Sequence, residues 1–119
     1  MSRYRLGTAH NGLHDWYLQR VSAVILLLLL PLAFLLLLCV YSGGVDYAEL
    51  WSLHHHTLVR LLHSLLAFAL SVHIYVGLKV VVEDYLSAVC LRTVLVGAMA
   101  VLIATLSLLW LSIIWNWSM

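Results

Sequence analysis

Charge is what this 119-residue chain has least of. Lys and Arg number six, Asp and Glu five, and together they are 9% of the residues, against about 25% in soluble globular chains. A body this small exposes much of its surface and needs polar side chains to cover it, so a water-soluble monomer is excluded. The net charge is only +1 and no basic run exists, which excludes a nucleic-acid binder and a charged tail protein. The two cysteines, Cys39 and Cys90, make neither a disulfide framework nor a metal motif. The first 20 residues carry Arg3, Arg5, Asp15 and Arg20. With no short apolar core and no small-residue cleavage site among them, no secretory signal of the usual form is expected.

Apolar residues are the abundant class, at 65%, which also excludes disorder. They fall in three stretches. Val21–Val40 is 20 residues long, ten of them leucine, with no ionisable group but the Cys39 thiol. About 20 helical residues cross a bilayer core, and only helices or closed barrels satisfy their backbone in lipid. No stretch alternates with period two, so helix is the expectation, with a kink at Pro31. The second span runs over about 58–82. Its charge-free part, Leu61–Leu78, is 18 residues, with Arg60 and Lys79 near its two ends, where their stems can snorkel. The third runs over about 94–115 and holds neither a charge nor a histidine. Short connections, Tyr41–Thr57 and Glu83–Thr93, join them. The expected architecture is therefore all-α and integral to a membrane: a single domain over 1–119, with a lead-in over 1–20 and three transmembrane helices.

Lys and Arg near the span ends set orientation. Arg3, Arg5, Arg20, Lys79 and Arg92 fall on one side and Arg60 alone on the other. The N-terminus and second loop are thus expected on the cytoplasmic side, and the first loop and C-terminus outside. Tyr41, Tyr47, Trp51, Trp110, Trp115 and Trp117 would form the outer aromatic belt, and Trp16, Tyr17 and Tyr85 the inner one.

Leucine alone makes an anchor, so ionisable groups within a span need a reason. His73 lies inside the second span, in its cytoplasmic half. Neutral imidazole is a haem-iron ligand; it can equally hydrogen-bond a neighbouring helix. At 100° per residue, Gly77 lies one turn on and about 40° around, and Asp84 about 20° off the same line. The missing side chain at Gly77 would let a flat macrocycle approach the backbone. His63 lies ten residues before His73, about 15 Å along the axis, so one helix cannot offer both to one iron. His14 and Arg20 belong at the membrane surface, either to hold anionic groups such as haem propionates or as part of an interfacial lead-in anchored by Trp16 and Tyr17. Tyr85 beside Asp84 is either a donor to a carbonyl of a small head group or a belt tyrosine. His54, His55 and His56 face different ways on a helix and cannot jointly chelate one ion.

Two motifs carry a resemblance to a known family. One is Asn11-Gly12-Leu13-His14-Asp15, continuing to Arg20, Ser22 and Ala23. The other is His73-x-x-x-Gly77, continuing to Asp84-Tyr85 and Leu91-Arg92. With three spans and this length, the chain resembles the smaller haem-b membrane anchors of bacterial succinate dehydrogenase, respiratory complex II. The resemblance implies half of a haem-binding helical bundle, completed by a second three-span haem-b anchor. It implies haem b shared between the two, with His73 as an axial ligand and the other ligand on the partner. It implies a ubiquinone head group bound by Tyr85 with Asp84 beside it, and His14 and Arg20 near the haem propionates and the quinone. A flavoprotein and an iron–sulfur protein would dock on the cytoplasmic face of the bacterial inner membrane, and the complexes can associate as trimers. The chain would then be a non-catalytic part of an enzyme that passes electrons from succinate to quinone. His54–His56 and His63 depart from the pattern, and His63 raises the alternative of a second haem. Ser87 and Ala88 stand where a proline often follows in relatives.

Two other readings stay open on the residues. One is the anchor of a fumarate reductase or another respiratory complex. The other is a non-enzymatic membrane scaffold or part of a small transporter, which would carry neither haem nor flavin.

Overall fold

A computed structural model describes residues 8–116, with side chains from Gly12 onward. Arg3, Arg5 and Trp117 lie outside these described residues. The chain forms α1 (Thr8–Tyr41), α2 (Tyr47–His55), α3 (Thr57–Tyr85) and α4 (Val89–Asn116), and no strand occurs among the described residues. Three stretches are long and apolar enough to cross a membrane: Gly12–Tyr41, Thr57–Tyr85 and Val89–Asn116. Each of the three expected spans sits inside one of them.

The helices run further than the apolar windows. α1 has 34 residues and so a rise of about 51 Å, well beyond a hydrocarbon core of about 30 Å. From Thr8 on, the expected lead-in is helical and continuous with the spanning helix. α1 also continues through Pro31. The second connection shortens to three residues, Leu86–Ala88, because Glu83–Tyr85 complete α3 and Val89–Thr93 begin α4.

The first connection is also not all loop. α1 ends where Gly43 takes φ +74°, a left-handed conformation that a Cβ disfavours. There the Gly43 N–H donates to Val40 O at 3.1 Å and the Gly44 N–H to Cys39 O at 2.9 Å. Asp46 then opens α2 with a capping box. Its Oδ1 accepts from the Glu49 N–H at 2.7 Å, and Glu49 Oε2 accepts from the Asp46 N–H at 3.1 Å. Two of the helix's otherwise unpaired N-terminal donors are satisfied this way. His56, with ψ 125°, breaks α2 from α3. His54 and His55 thus end α2, and His56 caps the start of α3.

α3 is the middle element. α1 and α4 pack on it, and α2 lies against it, in a body 68 Å long and 23–26 Å across. Little is buried: Leu26, Ala67, Ala69, Val76 and Ile114, with the polar Asp15 and Ser22. Lipid is as apolar as leucine, so helices in a bilayer associate through close packing and hydrogen bonds. Ala67 and Ala69 allow the close approach. Ser71 Oγ and Ser107 Oγ, 2.6 Å apart, link α3 to α4, as does Trp115 Nε1 donating to Ser64 Oγ at 3.1 Å.

Candidate functional site

The α1–α3 seam gathers a set of polar groups from two apolar spans. Asp15, Gln19, Ser22 and Leu26 recur at three- and four-residue spacing, one face of α1. Asp15, Ser22 and Leu26 of that face are buried. Across from it α3 presents His73, Gly77 and Lys79.

At its centre His73 is held at both ring nitrogens. Nδ1 lies 3.1 Å from Ser22 Oγ, and Nε2 lies 3.4 Å from the Gln19 amide nitrogen. The Ser22 hydroxyl donates its one hydrogen to Gln19 O at 3.1 Å, since a carbonyl only accepts. With that hydrogen on Gln19 O, the Ser22 oxygen is free to accept from His73 Nδ1, the tautomer in which Nε2 carries the lone pair toward the Gln19 amide nitrogen. Ser22 and Gln19 together hold the imidazole in place inside the span. Gln19 itself is poorly satisfied: its Oε1 is buried and has no hydrogen-bond partner among the described residues, a state that costs about 1–3 kcal/mol.

One turn along α3, Gly77 lies under the same amide. A Cβ there would stand 3.4 Å from Gln19 Nε2 and meet no other atom within 4 Å. Beyond it Lys79 Nζ donates to Asp15 Oδ2 at 2.6 Å, the two side chains only 19% and 11% exposed. Lys79 therefore does not snorkel as expected, because a carboxylate on α1 is within its reach.

A cavity of about 640 Å³ opens beside these groups, lined among others by Trp16, Gln19, Arg20, Gly77, Asp84 and Arg92. The Arg20 guanidinium sits 5.2 Å over the Trp16 ring, a cation–π contact. Of the residues singled out in the sequence, Arg20, Gly77 and Asp84 thus converge on one cavity, and His73 adjoins it through Gln19. His14 and Tyr85 do not line it. Both are exposed, Tyr85 at 84%.

The histidines near the other end form a different cluster. His54 Nε2 donates to Ile114 O at 3.2 Å, Trp110 Nε1 donates to His63 Nε2 at 3.3 Å, and the His54 and His63 rings meet edge-on at 6.0 Å. Arg60 turns back onto α2, to His54 O at 3.1 Å and His55 Nδ1 at 2.9 Å, instead of snorkelling outward. An apolar cavity of about 570 Å³ lies beside them, between the C-terminal half of α1, α2, the N-terminal part of α3 and the C-terminal part of α4.

With the fold and seam defined, the chain matches the family described as "Succinate dehydrogenase/Fumarate reductase transmembrane subunit" over residues 2–113. The chain belongs to this family. It is 34% identical over 93 residues to the "Succinate dehydrogenase hydrophobic membrane anchor subunit" of Rickettsia bellii (strain RML369-C), covering 77% of this chain and 72% of that protein. It is also 34% identical over 90 residues to the protein of the same description from Rickettsia conorii (strain ATCC VR-613 / Malish 7), covering 76% and 71%. As a member of the succinate dehydrogenase/fumarate reductase transmembrane subunit family, it is a multi-pass membrane subunit of an enzyme complex. The scaffold or transporter reading falls with that membership.

Residue-by-residue reading of the sequence missed Gln19 and the Lys79–Asp15 pair, and gave Ser22 no role. The signal was the recurrence of Asp15, Gln19 and Ser22 on one face of a helix that is otherwise leucine.

The seam fits haem b on its own geometry. It offers a histidine whose Nε2 meets only a long contact from the Gln19 amide, a glycine one turn away where a side chain would crowd a flat group, and an amide whose oxygen has no partner among the described residues. The lining of the adjacent cavity carries two cations, Arg20 and Arg92, beside the carboxylates Asp15, Glu83 and Asp84.

Proposed function

We propose that this chain is the haem-b-binding and quinone-binding anchor of a succinate:quinone oxidoreductase. The observation that carries the proposal is the presentation of His73: an imidazole within a span, contacted at both ring nitrogens by Ser22 and Gln19, beside a cavity lined by Arg20, Gly77 and Asp84. His73 would hold the iron through Nε2, with the second axial ligand on a partner anchor subunit, because His63 lies far up the same helix. Haem b, when bound, supplies a one-electron redox centre in the membrane.

The chain's own residues then bind and orient. Arg20, its guanidinium over the Trp16 ring, and Arg92 would offer charge-assisted hydrogen bonds to carboxylates, and the exposed His14 on α1 would join them at the surface. Gly77 leaves room for the ring. At the end of α3, the Tyr85 hydroxyl would donate to a quinone carbonyl oxygen, while Asp84 beside it can hold or pass a proton as the quinone takes up two electrons and two protons. Tyr85 is 84% exposed on this chain, which suits a pocket completed by another subunit. Soluble flavoprotein and iron–sulfur subunits would dock on that face, cytoplasmic by the Lys and Arg distribution, with the C-terminus on the periplasmic side of a bacterial inner membrane.

The test is Tyr85→Phe in the complex purified through a tag on this chain. Succinate-driven reduction of ubiquinone should fall about tenfold or more, while reduction of an artificial acceptor by the soluble subunits stays at the wild-type rate. Equal loss of both activities, or no loss of either, would contradict the quinone role.

A further inference from the structure

We propose that Ser22 is a positioning residue for His73, fixing the Nδ1–H tautomer, and that Gln19 is the placeholder which gives way when Nε2 takes up a ligand role. This rests on the haem reading above and goes beyond it, to how α1 prepares a ligand carried by α3.

Ser22 Oγ lies 3.1 Å from both Gln19 O and His73 Nδ1. Gln19 O can only accept, and with the hydroxyl hydrogen on it the Ser22 lone pairs face Nδ1 and accept the ring hydrogen. Ser22 is 4% exposed, and water does not compete for that bond. An acceptor behind a ligating imidazole sets its tautomer and ring rotation and raises its basicity. Metal-ligating histidines usually find this partner in a backbone carbonyl, a carboxylate or water; here it is a hydroxyl on the neighbouring helix.

Gln19 occupies the other side of the ring. Its amide nitrogen stands 3.4 Å from Nε2, at the long limit of a hydrogen bond. Its oxygen is buried with no partner among the described residues. It is thus held by little on the face that a ligand to Nε2 must approach, and it borders a cavity into which its flexible side chain can turn. Ser22, by contrast, is fixed by two bonds and stays.

The experiment uses the whole complex, isolated from membranes through a tag on this chain, with Ser22→Ala, Ser22→Val and Ser22→Thr. The readouts are the haem midpoint potential and the low-spin ferric electron paramagnetic resonance spectrum. Loss of the hydroxyl should weaken the imidazole as a donor to ferric iron, raise the potential and shift the largest g value. Ser22→Thr should restore both. Ser22→Val and Ser22→Thr have nearly the same shape, so their comparison isolates the hydroxyl even if the alanine variant assembles poorly. Identical potentials and spectra in the Val, Thr and wild-type complexes would overturn the proposal while leaving the haem reading intact. A wild-type complex without b-type haem would overturn the haem reading, and this inference with it.

Discussion

At the residue scale, what the sequence made legible was what leucine makes conspicuous. His73, Gly77, Asp84 and Arg20 stood out because a ring, a charge or a missing side chain is expensive or unusual in a span, and helical spacing placed three of them in one stripe. Ser22 was not legible. A serine in a helix satisfies itself on the carbonyl three or four residues back, as Ser64, Ser71 and Ser107 also do, so only the docked α3 reveals its second bond. Gly77 gives a graded prediction. In Gly77→Ala the new Cβ meets only the mobile end of Gln19, at 3.4 Å, so the complex should assemble with its haem-to-flavin ratio unchanged. Gly77→Leu fills the space beside His73 and should lower that ratio severalfold. Equal ratios in the two variants would show that the glycine leaves room for nothing.

At the element scale, the three spans were readable from apolar length alone, but their ends were not. Lipid thickness bounds the apolar window, whereas the helix stops only where a cap or a turn stops it. That is why α1 runs through the expected lead-in and α3 reaches Tyr85. α2 went unread because nine residues carry little periodicity; its trace was the Asp46-x-x-Glu49 box after two glycines. The seam between α1 and α3 rests on the Lys79–Asp15 pair at 2.6 Å. Removing one partner of a partly buried pair strands the other, at a cost below the about 3–5 kcal/mol of a fully buried one, whereas replacing both with apolar groups of similar size is often neutral. Asp15→Leu and Lys79→Met should therefore each lower the thermal midpoint of the solubilised complex, and the double variant should recover most of the loss. Additive losses would mean that the pair does not act as a unit. The Ser71–Ser107 link is of a different order, since interhelical hydrogen bonds in bilayers average about 0.6 kcal/mol.

At the scale of the whole molecule, the chain is one subunit of a larger complex. α3 is flanked by α1 and α4, most leucines face outward, Leu27 at 73% and Leu108 at 66% exposed, and Tyr85 stands apart from the chain's own cavity lining. One histidine beside a cavity, and an exposed tyrosine at the end of α3, suit the proposed site finished by other subunits. Sequence reading reached this through the two motifs. It did not reach the seam, because contacts between helices 51 to 64 residues apart, such as Ser22 with His73 and Asp15 with Lys79, leave no local pattern. The central claim is that His73 is a haem ligand in this anchor. The most direct measurement is a dithionite-reduced minus oxidised optical spectrum of the complex drawn from native membranes by a tag on this chain, recorded for wild type and for His73→Ala. Ligation by His73 predicts a b-type haem spectrum with co-purifying flavin in the wild type, and its loss or marked weakening in His73→Ala with flavin retained. A wild-type complex without haem, or the same haem spectrum in both, would contradict it.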